Sequence, residues 1–135
     1  MFNRNNAKQV GTTAASIATN SSTGVLNLFV FPAAGEVIGG HVIASASQPS
    51  ATTTASGLSV NLYKNASNSA SIVGSFNSSG TGIAANAAAA LTLGTATLKK
   101  FAANDVLLCE VIGGAAMGST IGLKVQAEYI YGYED

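Results

Sequence analysis

At 135 residues the chain has the length of one domain with a real core and is too short for two. Six Lys and Arg balance six Asp and Glu, and charged residues make up 9% of the whole, against about 25% in ordinary soluble domains. That balance argues against nucleic-acid binding by counterion release, and a single cysteine, Cys109, excludes an internal disulfide.

The first stretch, residues 1–23, is rich in Asn, Thr, Ser and Ala, with little apolar periodicity beyond Val10 and Ile17. It lacks the apolar run of a signal peptide and reads as an extended N-terminal arm preceding a domain over residues 24–135. Residues 25–31 form a strand that is apolar on both faces, stopped by Pro32. Residues 36–47 form a second strand with Ile38, Val42, Ala44 and Ala46 on one face, and Gly39-Gly40 marks a bulge or a close backbone approach. Leu58 to Tyr63 alternates cleanly, with Leu58, Val60 and Leu62 inward. Asn65 opens the turn after it, and residues 71–76 return. The Ala-rich residues 83–90 are the one plausible helix, because Ala is the best helix former; the stretch is too short to span a membrane. Leu91 and Leu93 share a phase that Ala96 and Leu98 do not, so a bulge is expected at Gly94. Residues 105–112 and 120–131 close the chain, with Leu107, Cys109, Val111, Ile121, Leu123 and Val125 completing the predicted core. Short strands with turn signals every 8–12 residues predict an all-β, antiparallel β-sandwich, jelly-roll-like, of about eight strands.

The candidate chemistry is sparse. His41 is the only histidine, so no His-based metal site is expected, and no cofactor. Cys109 lies among aliphatic strand residues and reads as a small buried hydrophobe; a Cys109–His41 nucleophile pair has no local signature behind it. Glu110 and Glu128 lie on the last two predicted strands, where they could be cross-strand neighbours, and Glu128 could pair with Lys124. Asp105 reads as a turn residue opening a strand. Tyr129, Tyr131 and Tyr133 share one face of an extended segment; Tyr129 finishes the core and the others pack at an edge or against a neighbouring subunit. A non-enzymatic chain is the expectation. A weakly charged surface of Ser, Thr, Asn and small apolar groups suits a protein packed against neighbours, so a homo-oligomer is expected.

Phe31-Pro32-Ala33-Ala34-Gly35-Glu36, Val60-Asn61-Leu62-Tyr63-Lys64-Asn65 and the later Phe101-Ala102-Ala103-Asn104-Asp105 resemble the turn-and-strand pattern of small β-sandwich accessory proteins of tailed-bacteriophage virions. Ala66 departs from the pattern, standing where a Gly is commoner. The resemblance implies a capsid decoration (cement) protein or another head or tail accessory protein, made in the host cytoplasm, bound to the major capsid protein or another virion protein, preferentially as a trimer, with no catalytic residues; the neutral charge and the lack of a long apolar run are what argue against a nucleic-acid or membrane partner. The polar arm has too few large apolar residues to build core and reads as a docking element, so Phe2, Asn3, Arg4, Lys8, Val10 and Ile17 of the arm, with Tyr131 and Tyr133 of the Tyr face, are the expected partner-binding residues. A carbohydrate- or receptor-binding module of a fibre or surface protein, using loops and the Tyr face, is the alternative; a small hydrolase around Cys109 or the carboxylates is a third.

Overall fold

A computed structural model of the chain describes residues 9–47, 57–78, 82–115 and 120–132. Among these residues eleven strands lie in two antiparallel sheets: β1 (Gln9–Ile17), β2 (Ser21–Ser22), β3 (Leu26–Val30), β4 (Gly35–Ala44), β5 (Leu58–Lys64), β6 (Ile72–Asn77), β7 (Ala88–Ala90), β8 (Thr92–Leu93), β9 (Lys100–Phe101), β10 (Val106–Gly113) and β11 (Ile121–Tyr131). One sheet runs β1-β11-β4-β7, with β9 also along β4; the other runs β2-β10-β5-β6-β8, with β3 also along β10.

The pairings are nested. β1 pairs with β11, β3 with β10, β4 with β7 and β9, and β5 with β6. This long hairpin is rolled so that β11 lies beside β4 and β10 beside β5. Two sheets joined by that rolled hairpin are a jelly roll, in which eight principal strands carry the fold and β2, β8 and β9 are short additions. The expected architecture and strand number are therefore observed.

Alternation places the core between the sheets. Leu58, Val60, Leu62, Leu107, Cys109, Val111, Ile121, Leu123 and Val125 are all buried, as their spacing predicts. Burial of an aliphatic side chain of this size contributes about 1.5–3 kcal/mol, so these positions supply much of the driving force.

Four expectations fail for identifiable reasons. Residues 9–17 are not a separate arm: β1 pairs with β11 over nine residues without a register break, and Ile17 is 1% exposed in the core. A domain boundary at residue 23 would cut this sandwich between β2 and β3. The Ala-rich stretch is not helical: Ala85 bridges Ala44, Asn86 is left-handed at φ 57°, and β7 pairs with β4, so tertiary pairing overrides propensity. Ile38 faces outward, 42% exposed, because the ladder skips it between Glu128 and Tyr129 and Val37 takes the inward position. Finally, the phase change after Leu93 is a single helical turn, α1 (Ala96–Lys99), entered through Gly94, and not a bulge within a strand.

Gly40 meets the close approach expected of it. A Cβ there would lie 2.5 Å from Leu91 Cδ1 and 2.9 Å from the Gln126 carbonyl oxygen.

The turns are set by asparagine. Asn20, Asn65, Asn86 and Asn104 are the non-glycine residues with positive φ among those described. Asn65, at φ 67°, takes the left-handed position itself, so Ala66 need not be glycine. Its side-chain Nδ2 donates to Asp105 Oδ1 at 3.0 Å, and its side-chain Oδ1 accepts from Val106 N–H at 2.8 Å. Asp105 Oδ2 also accepts from Ala102 N–H at 2.8 Å. The Asn65 amide, then the Ala102 N–H, hold the Asp105 carboxyl below its usual range. Asn65→Ala loses both hydrogen bonds and the tolerated φ, an expected cost of about 2 kcal/mol, whereas Asn65→Gly keeps the φ and costs about 1 kcal/mol. Because Asp105 titrates lower when folded, its contribution is present above the ordinary carboxylate pKa of about 4 and is lost as pH falls through and below it. Urea titrations from neutral pH to pH 2.5 should show a smaller acid loss in Asn65→Gly; equal losses would sink the assignment.

Candidate interaction surfaces

The groups that could carry chemistry are dispersed. Cys109 points into the core from β10, fully buried, and burial pushes its thiol up to about 12. His41 lies on the outward face of the other sheet, with Nδ1 3.5 Å from Glu128 Oε1. The fold does not bring Cys109 and His41 together. Glu110 and Glu128 are likewise not neighbours, since β10 and β11 belong to different sheets. Glu110 accepts from Ser22 Oγ at 2.9 Å and from the Tyr63 hydroxyl at 3.4 Å on the outer face of its sheet. Burial raises the Tyr63 pKa, so that hydroxyl stays protonated as a donor. Among the described residues no group of three or more His, Cys, Asp or Glu is placed to hold a metal.

Among the described residues, the rings around Phe29 and Phe31 are structural. Tyr129 stacks on Phe29 at 4.2 Å between ring centroids, and Tyr131 lies 5.7 Å from the same ring. Phe31 meets Phe29 edge-on at 5.0 Å and stacks on Phe101 at 4.4 Å. These rings join the two sheets at one end of the sandwich, with Lys64 Nζ 5.7 Å from the Phe101 centroid. Tyr129 finishes the core, and Tyr131 packs half-buried at its margin. They do not form an open stacking platform.

Of the expected partner-binding residues, Phe2, Asn3, Arg4, Lys8 and Tyr133 lie outside the described residues. Ile17 is withdrawn into the core, which corrects its assignment. Val10, 51% exposed, stands on the outward face of β1, with Thr12, Ala14 and Ser16 following it. Beside this row a shallow depression is lined by Ala14, Ser16, Ile43, Ser45, Asn86 and Lys124. Ser45 Oγ is engaged there, accepting from Gly122 N–H at 3.0 Å. Small uncharged groups predominate across this face.

The sheet edges differ from one another. The edge formed by β7 and β9 is split into three- and two-residue pieces, the second carrying Lys100. β8 has two residues and runs into α1 through Gly94. On the remaining edge of that second sheet, β2 and β3 are short and the ladder to β10 shifts register between Leu107 and Leu108. Shortness, bulges and Lys are the devices that blunt an edge. β1 has none of them: it is nine residues long, regular, and free of charge and proline. Sequence reading overlooked Thr12, Thr13, Ala14 and Ser16; the signal was a charge-free, proline-free run with β-branched residues at 10, 12, 13 and 17.

Taken together, the pairings define a two-sheet jelly roll in which, among the described residues, β1 is the one long regular edge strand. No protein-family model and no curated protein sequence matches the chain. By structure it is similar to a chain of the cyanophage Pam1 capsid asymmetric unit, with TM-score 0.55 and 15% identity, covering 96% of this chain and 87% of that one. A chain of the acid-stable capsid of Helicobacter pylori bacteriophage KHP30 gives TM-score 0.43 and 14% identity over 92% of this chain and 93% of that one. A chain of the disulfide-linked pili of Bacillus endospore appendages gives 0.34 and 11% over 95% and 94%. The Pam1 likeness is one of fold.

Proposed function

We propose that the protein is a structural component of a bacteriophage virion, and within it a decoration protein that binds and stabilises the head shell. The observation that carries the reading is the jelly roll shared over nearly the whole chain with a protein of a phage capsid. The surface is in keeping with it. With 9% charged residues and exposed Val10, Val25, Val30 and Ile38, the domain has little repulsion to keep it from packing against neighbours. Its buried, protonated Cys109 and separated carboxylates suit a role in binding and not in catalysis.

The test is composition of particles. Virions purified from the phage whose genome encodes the chain should contain it at a copy number commensurate with the icosahedral shell. Particles lacking it should still assemble but lose DNA at lower temperature or under chelation. Its absence from purified virions would overturn the virion reading. Its presence at a few copies, with shell stability unchanged, would overturn the decoration role alone.

A further inference from the structure

The open edge of β1 is a binding site for extended backbone, and we infer that its occupant is the same edge of a second copy, paired antiparallel about a twofold axis. The other edges are broken, bulged or short, while β1 presents nine residues in unbroken register. Along such a strand, alternate residues direct N–H and C=O groups to β11 and the rest direct theirs away from it. Among the described residues no strand pairs with that second side. An edge of this length, unbroken and uncharged, is a template for strand addition.

The sequence of the strand favours itself as partner. A twofold axis at Thr13 sets Thr13 opposite Thr13, Thr12 opposite Ala14, Gly11 opposite Ala15 and Val10 opposite Ser16. No charge meets a like charge, and no bulky pair collides. Thr–Thr is a favourable cross-strand pair. On the outward face the row Val10, Thr12, Ala14 and Ser16 becomes a double row of small and β-branched residues, covering half-exposed Val10. The result is one continuous sheet in the order β4-β11-β1-β1-β11-β4 across two copies. Antiparallel self-pairing is twofold, so this edge builds dimers and not the threefold assembly that the resemblance implied. The inference stands on the edge itself and does not require the virion role.

Substitution at two paired positions tests both the partner and the register. The full-length wild-type chain should sediment as a dimer at tens of micromolar. Thr12→Lys with Ala14→Lys places lysine opposite lysine twice and should raise the dissociation constant about tenfold or more while the circular dichroism spectrum is retained. Thr12→Lys with Ala14→Glu places lysine opposite glutamate twice and should keep the dimer. A monomeric wild type, a dimer indifferent to the two lysines, or a lysine–glutamate variant as weak as the double lysine would each overturn the proposal. Hydrogen exchange on the unmodified chain gives an answer that needs no variant. Amides on the open side of β1 should be protected at high concentration and exposed on dilution, while those bonded to β11 stay protected; rapid exchange of the first set at every concentration would equally overturn it.

Discussion

Deleting residues 2–20 is expected to abolish cooperative folding, not to trim a dispensable arm. β1 is the outermost strand of the nested hairpin and supplies the whole ladder on one side of β11, from Gln9 opposite Tyr129 to Ile17 opposite Ile121. Its loss would leave β11 as a bare edge and uncover the Tyr129 ring, whose Cε1 lies 3.1 Å from where a Cβ on Gly11 would sit. Ile17 is 1% exposed, and truncating a buried Ile to Ala alone costs about 2–5 kcal/mol. Domains of this size are stable by about 5–15 kcal/mol in total, so losing that side chain together with a nine-residue ladder removes most or all of the margin. Thermal melts followed by circular dichroism should show no cooperative transition in the truncated chain, and a clear but lowered one in Ile17→Ala. A truncated chain that melts like the wild type would return this segment to the role of an independent docking arm.

Much of the sandwich was legible because large apolar residues alternate where both neighbours are strands. Leu58, Val60 and Leu62, and Ile121, Leu123 and Val125, declare their inward face by size alone. β1 does not, because its inward positions include the small residues Gly11, Thr13 and Ala15, and at Gly11 the Tyr129 ring fills the space. A strand whose partner supplies the bulk has no hydrophobic signature of its own. β7 was hidden for the opposite reason: three alanines have strong helical propensity, and only the register with His41, Val42 and Ile43 makes them a strand. The bulge at Ile38 was foreshadowed by Gly39-Gly40, yet its effect on phase depends on the partner strand, which periodicity within one segment cannot supply. The interaction surface was the least legible part. An open edge is a property of topology, and the lack of charge in β1 acquires meaning only beside three edges that are blunted.

The same topology explains how a chain with so few charges holds a unique register. Among the described residues the side-chain contacts that fix the register are chiefly apolar, so specificity rests on close packing between sheets and on asparagine-set turns at their ends. The cost is sensitivity to any loss of interior volume.

That sensitivity should be greatest at Phe31. It is fully buried just after β3 and packs against three rings: Phe101 at 4.4 Å, Phe29 at 5.0 Å and Tyr129 at 5.5 Å. Its backbone is fixed independently, donating to the Asp105 carbonyl at 2.9 Å and accepting from Asn104 N–H at 2.7 Å, so the side chain can be removed without loosening the turn. Gly35 closes over the ring: a Cβ there would stand 2.6 Å from Phe31 Cδ2 and 2.5 Å from the Ile130 carbonyl oxygen, leaving no atom ready to refill a cavity. Phe31→Ala should therefore cost about 3–5 kcal/mol, at the upper end for a buried aromatic residue because three ring contacts vanish with it. In a chain of this length that loss lowers the melting temperature by more than about 10 °C. The neighbouring residue supplies the control. Val30 is 55% exposed on the outer face, and Val30→Ser should change stability by no more than about 0.5 kcal/mol. Urea denaturation of the two variants side by side checks the claim, with Phe31→Leu expected between them. If Phe31→Ala costs no more than Val30→Ser, the aromatic cluster does not join the two sheets in the way its geometry requires.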